Sequence, residues 1–593
     1  MKQFFKFMFA SMVGSIITAI LAIILFFAML AGSIASLETE KVTTVKENSV
    51  LYLDLSKEIL DKAPAGPFSG FDPISMKPEK KLGLNKILKN IEKASRDENI
   101  KGIYIEASSL ATGMATIEEI RNALIKFKES GKFILSYGSN YTQGTYYLAT
   151  AGDDIILNTE GGVDFKGFVA NLMFFKNALE KLEVQPQIIR CGKYKSAIEP
   201  FILEKMSDAN REQTSKYVFS LWDHVCKGIS DARKIPVSEL NMLADSMTIR
   251  NAKAALKYKL VDKLMYTDEV LVYLREKIGI TENDKINKVD IAAYDKAVVK
   301  EEDKESTKNR IAVVYAQGQI IDGEGDDENI GGDGLSKILR EIRLDTNIKA
   351  VVLRVNSPGG SALASEIIWR EVALIKEKKP VVVSMGDVAA SGGYYIACAA
   401  SKIYALPNTI TGSIGVFGMI PNAQGLFTNK LGITFDQVKT NAHADIMSLY
   451  RPLEQSETDI IQNSVNDIYS LFKQRVADGR KMTVEMVDSL GQGRVWSGAD
   501  ALEIGLIDGF GGLNDAIAEA VKLAGIENYR VKEYPIEKEP FEEIMKMLSG
   551  GDMDGDDFIA RIAGNEFKFF KTLNYLRKAK GVQAMMPYYI EVE

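Results

Sequence analysis

The chain repeats itself at a nearly constant spacing, and this repeat constrains its fold more than any other feature. Three pairs of stretches show it: 99–105 with 347–353 and 144–149 with 392–397 lie 248 positions apart, and 255–262 with 501–508 lie 246 apart. Two copies with matching sequences are expected to share one fold. We therefore predict two tandem domains, residues 48–280 and residues 311–530.

Within each copy, short apolar runs alternate with helical patterns. Residues 380–385 form a β-branched run typical of a buried strand, and residues 364–376 show a helical pattern. This alternation predicts an α/β fold with a mainly parallel sheet covered by helices. The polar, charged residues 281–310 indicate a linker between the copies, and residues 531–593 form a C-terminal tail to which we assign no role.

The N-terminal segment is long enough and apolar enough to span a membrane. Between Lys6 and Glu38 lie 31 residues without a charge, and about 20 apolar residues suffice to cross a bilayer. A cleaved secretory signal is the alternative, but its apolar region is usually only about 7–15 residues long. We therefore expect residues 1–40 to be an uncleaved anchor. Because lysines precede the span and glutamates follow it, the N-terminus should be cytoplasmic and the body should lie outside the cytoplasm.

Composition argues against several classes of function. A net charge of −7 offers no reason to expect nucleic-acid binding. The three cysteines are far apart and show no metal-ligand spacing, so we expect buried thiols rather than a metal site or a disulfide framework.

Ser391 lies at a turn between a predicted strand, residues 380–385, and a predicted helix, residues 392–400. At such a turn the N-terminus of the helix favours a developing negative charge, which suits a nucleophile. The commonest role of a serine before a helix is that of an N-cap. Taken alone, the local sequence favours the cap.

The two copies differ at the positions that a serine nucleophile would use. The first copy has Gln143 at the position of Ser391, so the shared fold does not require a capping serine there. The turn 356–360 ends in two glycines, whereas residues 108–112 of the first copy contain none. Glycines allow backbone N–H groups to approach a substrate closely, as an oxyanion hole requires. This asymmetry favours chemistry in the second copy.

A serine hydroxyl needs a base to become a nucleophile. His443 is the only histidine of the second copy and has no strong motif around it, and His224 lies within a predicted helix of the first copy. A lysine can also serve if burial lowers its pKa. Lys195, among small and apolar residues at a loop-to-helix boundary, is a candidate, but composition alone does not select it from the other lysines.

Together these motifs resemble the long, duplicated form of bacterial signal peptide peptidase A, a family of membrane-bound serine proteases with a Ser/Lys dyad. The resemblance covers nearly the whole chain from the anchor to about residue 530, and the tail matches poorly. It is carried by a lysine motif, a serine motif and three further signatures: 194–201, 386–394, 411–415, 494–498 and 505–508.

The resemblance implies that Ser391 is the nucleophile and Lys195 the general base, one from each copy. It also implies that Ser413 bonds to the lysine and orients it. The first copy has Phe165 at the position of Ser413, which extends the asymmetry between the copies.

The resemblance further implies the surroundings of the dyad. The amides of Gly359 or Gly360, with that of Gly392, would form the oxyanion hole. The fold would be crotonase/Clp-protease-like, in a homotetramer whose cavity opens toward the membrane. The substrates would be signal peptides left in the bacterial inner membrane after precursors are processed, the catalytic body would be periplasmic, and no metal or organic cofactor would be needed.

Other functions remain open at this point. The same fold class includes acyl-CoA hydratases and isomerases, which use oxyanion-hole amides without a serine nucleophile. An extracytoplasmic protein has little access to CoA, which disfavours them. A non-catalytic scaffold for membrane proteins is a second alternative, and a broader quality-control protease for membrane proteins is a third.

Overall fold

The computed structural model describes residues 44–64, 71–72, 77–78, 81–106, 109–299, 307–326, 328–536 and 583–586, together with Gly14 and Thr18. Apart from those two residues, the predicted anchor, residues 1–40, lies outside the described part of the chain. No helix within the described part is both long enough and apolar enough to cross a bilayer.

The first repeat is built on a parallel sheet. Its elements are β1 (Ser49–Leu53), β2 (Ile59–Leu60), β3 (Phe71–Asp72), β4 (Lys77–Pro78), β5 (Leu82–Gly83), α1 (Leu84–Arg96), β6 (Ile100–Glu106), α2 (Met114–Phe127), β7 (Phe133–Tyr141), α3 (Gln143–Ala149), β8 (Asp154–Val163), α4 (Lys176–Lys181), β9 (Gln185–Cys191), α5 (Glu199–Ile202), α6 (Asp208–Arg233), α7 (Val237–Asp245), α8 (Ala252–Lys257), β10 (Lys263–Leu264), α9 (Thr267–Ile278), β11 (Asn287–Asp290) and α10 (Ile291–Tyr294). Six strands form the sheet in the order β10-β8-β7-β6-β1-β11, and every pairing in it is parallel.

The second repeat contains a sheet of the same kind. Its elements are β12 (Arg310–Gln317), β13 (Gln319–Ile321), β14 (Asn329–Gly331), α11 (Gly332–Leu344), β15 (Ile348–Ser357), β16 (Gly359–Ser361), α12 (Ala362–Lys376), β17 (Val381–Ala390), α13 (Gly392–Ala397), β18 (Lys402–Ala405), β19 (Ile410–Gly412), β20 (Val416–Asn422), α14 (Gln455–Arg480), α15 (Val484–Leu490), β21 (Val495–Ser497), α16 (Gly498–Glu503), β22 (Gly509–Phe510), α17 (Leu513–Ala524), β23 (Arg530–Tyr534) and β24 (Gln583–Met585). The sheet order is β21-β19-β17-β15-β12-β23; off this path, β18 pairs with β17 and β22 pairs with β18. Its pairings are parallel except that of β19 with β21.

Apolar patterns explain the layers of the second repeat. In β15, Ala350 to Leu353 are apolar and fully buried, as expected for a parallel strand covered by helices on both faces. In α11 the buried side chains Leu335, Leu339 and Ile342 lie on one stripe, which packs toward the core. Complete burial of each such side chain contributes about 1.5–3 kcal/mol.

Two segments outside the predicted repeats belong to these sheets. The segment 281–310, predicted to be a linker, contains β11, which pairs with β1, and α10, whose Tyr294 is fully buried. The tail, predicted from residue 531, begins within β23 beside β12. It later contributes β24 to a separate, third sheet. Short strands with few apolar residues, such as the sequence Asn-Lys-Val-Asp of β11, carry too weak a pattern for prediction.

A third sheet joins the two repeats in the order β14-β13-β16-β24-β20-β9. In it, β9 of the first repeat pairs antiparallel with β20 of the second over the full lengths of both strands. Because β9 ends at Cys191, just before Lys195, this pairing brings the lysine loop of the first repeat to the second repeat.

A buried charge cluster also joins the repeats. Arg354 of the second repeat is 1% exposed, and its Nε donates to Asp61 Oδ1 at 2.7 Å. Its Nη2 donates to Glu119 Oε2 at 2.9 Å, so both carboxylates come from the first repeat. Since removing one partner leaves a buried charge uncompensated, this cluster favours one relative placement of the repeats.

Candidate active site

Ser391 joins β17 to α13 and is fully buried. Its backbone has φ 54° and ψ −113°, a conformation that costs a residue other than glycine about 1–3 kcal/mol. The N–H of Ser391 donates to Gly412 O at 2.8 Å, which holds the turn. Its side chain makes no capping bond to α13, whereas Thr142 of the first repeat caps α3 by accepting from Thr145 N. Ser391 is therefore not an N-cap.

Lys195 lies in the loop between β9 and α5, and its side chain is fully buried. Its Nζ lies 2.8 Å from Ser391 Oγ, 3.1 Å from Ser413 Oγ and 3.2 Å from Ser413 O. Burial lowers the pKa of Lys195 well below its usual value, which favours the neutral amine. The structure thus brings together Ser391, Lys195 and Ser413, from both repeats, in one buried site.

Gln213, on α6, holds the lysine loop and was missed by the sequence prediction. Its side chain is 1% exposed, and its Nε2 donates to Tyr194 O at 3.1 Å and to Ser196 Oγ at 2.8 Å, on either side of Lys195. Its Oε1 accepts from Val495 N of the second repeat at 3.1 Å. Gln213 therefore links the lysine loop to β21, and nothing in the helical pattern around it marks this role.

Gly493 packs closely against Lys195. It has φ 76°, and a Cβ placed on it would lie 2.6 Å from Lys195 Cβ and 2.7 Å from Lys195 N. The preceding residue accepts a hydrogen bond from the loop, Tyr194 N to Gln492 O, at 2.8 Å. The sequence prediction missed Gly493. The signal that could have identified it is its position directly before the signature 494–498.

The three predicted oxyanion-hole glycines lie in different settings. The Gly359 N–H donates to Ser357 Oγ at 3.1 Å, and a Cβ on Gly359 would lie 2.6 Å from Gly392 N. Glycine at 359 thus keeps a side chain out of the space beside the amide that follows Ser391, where Ala584 O lies. Gly360, with φ 158°, packs so closely on β13 that a Cβ would lie 1.9 Å from a carbonyl oxygen of that strand.

Neither histidine contacts the buried serine. The side chain of His443 is 42% exposed, and its Nδ1 lies 3.7 Å from Glu457 Oε1. His224 Nε2 lies 3.3 Å from Glu118 Oε1 in the first repeat. The histidine alternative for the base therefore finds no support in the geometry.

The cysteines and acidic side chains show no metal site in the residues that the structure covers. All three cysteines are free thiols, and two are buried. Burial raises the pKa of Cys226 and of Cys398 to about 12, so both thiols stay protonated at neutral pH.

The C-terminal tail contributes a strand to the site. β24 pairs antiparallel with β16, which places Ala584 opposite Gly360. On its other side it pairs antiparallel with β20, which places Gln583 opposite Phe417. The groove between β16 and β20 is therefore one strand wide and holds an extended segment by backbone pairing on both sides.

Two apolar clusters flank the dyad, and each contains residues of both repeats. The first comprises Leu179, Ala197, Ile198, Phe201, Phe417 and Met419. The second comprises Tyr217, Leu221, Ala390, Ile410, Val495 and Met586. The first includes Ala197, two residues after Lys195, and the second includes Ala390, the residue before Ser391. An extended chain in the groove therefore meets apolar surface on both sides of the Lys195–Ser391 pair.

Family comparisons agree with this geometry. The model of peptidase family S49 matches residues 126–281 and 373–527, one segment in each repeat. The Clp protease model matches residues 304–413, in keeping with a Clp-protease-like α/β fold.

Three proteases are similar to the chain over most of its length. Protease 4 of Salmonella typhi is 38% identical over 84% of this chain and 82% of the relative. Protease 4 of Haemophilus influenzae is 37% identical over 75% and 73%, respectively. A chloroplastic serine protease SPPA of Arabidopsis thaliana is 32% identical over 91% and 78%. The chain belongs to peptidase family S49 and is a serine protease.

Proposed function

We propose that this serine protease is a membrane-anchored endopeptidase that degrades signal peptides left after precursor processing. Ser391 is the nucleophile and Lys195 the general base. The observation that carries the proposal is the 2.8 Å separation of Lys195 Nζ from Ser391 Oγ inside a buried site. A buried amine beside a serine hydroxyl has few structural purposes, because burial of a lysine without an ion pair is costly.

The reaction follows from the positions of these groups. Neutral Lys195 takes the proton of Ser391 Oγ as the oxygen attacks the substrate carbonyl, and the protonated lysine then gives its proton to the leaving amine. The Gly392 amide stabilises the oxyanion in the space that Gly359 keeps free of a side chain. Water next attacks the acyl-enzyme ester, with Lys195 again as base. Ser413 holds the amine toward the nucleophile throughout.

The shape and lining of the groove support an apolar peptide substrate. A strand-wide groove requires an extended chain, and the flanking clusters place aliphatic and aromatic side chains beside it. Signal peptides carry an apolar core of about 7–15 residues, which would fill such pockets once unwound. Attachment through residues 1–40 would keep the groove near the bilayer in which these peptides remain.

Two segments that form no strand in the described chain support a head-to-tail assembly of copies. By the sequence repeat, residues 168–174 correspond to β20, and residues 434–440 correspond to β9, since Lys181-Leu182 matches Lys430-Leu431. Yet neither segment forms a strand in the described chain, although β9 and β20 themselves pair. Pairing of these segments between neighbouring copies would repeat the β9–β20 arrangement around a ring, and the family resemblance implies four copies.

Exposed apolar side chains on both segments agree with such an interface. Met173 is 62% exposed and Val438 fully exposed. Val438→Asp should therefore lower the molar mass of the detergent-solubilised assembly measured by light scattering. Val298→Asp is the control, since Val298 is 81% exposed but lies outside both segments. An unchanged mass for the Val438 variant would contradict the ring.

The experiment that tests the dyad measures hydrolysis of an apolar signal-peptide-like substrate by detergent-purified protein. Ser391→Ala should remove nearly all activity, and Lys195→Met should lower kcat by about 10²–10⁴-fold, the usual contribution of a general base. Lys193→Met, an exposed lysine two residues away, is the matched control.

The outcomes separate the remaining alternatives. If Lys195→Met keeps its activity while folded, the base is another group. If the wild type cleaves no apolar peptide, the substrate proposal fails. If it cleaves folded membrane proteins as fast as signal peptides, the broader quality-control role replaces the proposed one.

A further inference from the structure

We infer that Asp387 is a positioning residue for the nucleophile. Its carboxylate binds the first turn of a helix of the first repeat, and this contact holds the part of β17 that presents Ser391. The inference rests on the proposed role of Ser391. It adds a residue that acts on the serine through the backbone of β17.

A bulge in β17 lies just before Ser391. The pairing of β17 with β15 is regular up to Met385 and resumes at Ala389, so residues 386–388 stand opposite the single residue Asn356. A bulge bends its strand and redirects the residues that follow it. The number of residues in the bulge also sets where the end of β17 pairs with β19, and hence where Ser391 lies.

Contacts within the second repeat hold the two flanks of this bulge. The Val388 N–H donates to Asn356 Oδ1 at 3.1 Å, and Thr409 Oγ1 donates to Gly386 O at 2.9 Å. The central residue of the bulge is Asp387, and its side chain bonds to the first repeat. The centre of the bulge is therefore held from the other repeat.

Asp387 caps a helix of the first repeat. Its Oδ1 accepts from the Thr116 N–H at 2.9 Å, and its Oδ2 accepts from Thr116 Oγ1 at 2.7 Å. Thr116 is the third residue of α2, where a carboxylate satisfies a free N–H and complements the positive end of the helix. The residue before α2 is Gly113, and a Cβ on it would lie 2.4 Å from Asp387 Oδ1. Glycine at 113 thus makes room for the carboxylate.

The equivalent helix of the second repeat, α12, caps itself. At the offset of 248, Gly113 corresponds to Ser361, whose side chain accepts from Ala364 N at 3.2 Å. Asp387 corresponds to Ser139, which is exposed. The carboxylate in the bulge and the glycine before the helix therefore occur together where the two repeats meet. This combination indicates a specific contact between the repeats, because the shared fold does not require it.

The helix end that receives the carboxylate is itself fixed to the second repeat. Glu119, three residues after Thr116, accepts from Arg354 Nη2 at 2.9 Å, and Arg354 lies on β15 beside β17. Moving this end of α2 would break a buried ion pair, which is costly. Without the carboxylate, only the flanks of the bulge are held, and Ser391 Oγ can leave its position 2.8 Å from Lys195 Nζ.

Hydrolysis of the apolar peptide by detergent-purified full-length variants tests the inference, with thermal unfolding measured in parallel. Asp387→Ala should lower kcat by about 10²-fold with a smaller change in KM, since a displacement of about 1 Å has an effect of this size. Asn251→Ala is the matched control, because Asn251 caps α8 by accepting from Ala254 N at 2.9 Å and does not contact the site. It should lower the unfolding temperature and leave kcat unchanged.

A second pair of variants changes the other partner and tests the contact even if Asp387→Ala does not fold. Thr116→Val replaces the hydroxyl that donates to Asp387 Oδ2 with a methyl group, so kcat should fall here too. Thr116→Ser keeps the hydroxyl and should retain the wild-type kcat.

Other results would overturn the inference. If Asp387→Ala unfolds at a lower temperature but keeps its kcat, the carboxylate only caps the helix. Equal kcat values for the two Thr116 variants would show that the contact does not position the serine. If Asn251→Ala loses as much kcat as Asp387→Ala, a general loss of stability explains both. Ser391→Ala is measured in the same assay, and if it cleaves as fast as the wild type, the proposed nucleophile itself is wrong.

Discussion

The two repeats use the same position after equivalent strands in opposite ways. In the second repeat, Ser391 has a strained backbone and a hydroxyl directed to Lys195. In the first repeat, Gln143 stands there, and its Oε1 accepts from Lys166 N and Gly167 N at 3.0 and 2.8 Å. One residue is placed for the proposed chemistry and the other fastens a loop, although the fold around them is shared.

The position of Ser413 shows the same contrast. In the first repeat it is occupied by Phe165, which packs edge-on against Tyr146 and tilted against Trp222 at centroid distances of 6.2 and 5.5 Å. That aromatic cluster belongs to the apolar core and leaves no room for a buried amine. The first repeat therefore has a filled core where the second has a polar pocket.

The lysine shows the reverse asymmetry. The loop that carries Lys195 is buried between the repeats, while its counterpart in the second repeat, near His443, lies in an exposed stretch. Each repeat thus supplies a part that the other lacks. The comparison teaches that the site forms only where the two repeats meet. Its function therefore depends on contacts between the repeats.

Of the tests of this asymmetry, a change in pH should have the largest effect on peptide hydrolysis. The base acts only when neutral, and burial lowers the pKa of Lys195, so activity should extend to lower pH than an unperturbed lysine would allow. Below that lowered pKa, kcat/KM should fall by about tenfold per pH unit as the amine takes up a proton. An exposed lysine would instead lose activity below a pKa of about 10.4. The pH profile of peptide hydrolysis distinguishes the two cases, and activity that stays constant far into the acid range would rule out a lysine base.

Gly493→Ala tests whether the second repeat positions the lysine of the first. The new methyl group would meet Lys195 Cβ at 2.6 Å and displace the loop, so we expect kcat to fall by about 10²-fold with a smaller change in KM. Gly131→Ala is the matched control, because Gly131 has φ 77° but no atom within 4 Å of the added Cβ. It carries a similar backbone strain without touching the site. Equal losses in both variants would show that strain alone is responsible.

The sequence was sufficient to predict the repeats, the α/β layers and the residues that meet at the site. Repeats and alternating patterns depend on many residues at once, so they can be recognised even where the structure of a short stretch is ambiguous. The cross-repeat contact of Lys195 with Ser391 was predicted through motif resemblance, since composition did not separate this lysine from the others.

The rest depends on tertiary contacts that leave no local pattern. β24 is three residues long and pairs with strands more than 150 positions earlier, so no periodicity in the tail marks it. Gln213 looks like any polar residue of a helix until its bonds to both repeats are seen. A supporting residue such as Gln213 can be recognised only when its partners in the folded chain are known, whereas the reactive groups lie in recognisable sequence motifs.

The smallest expected effect is on stability rather than catalysis, and it comes from a substitution in the first repeat. Gln143→Ala would leave the backbone N–H groups of Lys166 and Gly167 and the carbonyl of Gly167 without this buried partner. Such a loss costs about 1–3 kcal/mol, so thermal unfolding should shift to a lower temperature. Activity per folded molecule should stay at the wild-type level below the transition.

Ser391→Ala should give the opposite result, with activity lost and the unfolding temperature nearly unchanged. Its hydroxyl contributes bonds within the site only, and alanine fits the space of the serine side chain. The pair of variants therefore separates a fastening residue from a reactive one at equivalent positions. If Gln143→Ala abolished hydrolysis while the protein remained folded, the first repeat would contribute to the chemistry beyond Lys195, and the division of roles between the repeats would have to be redrawn.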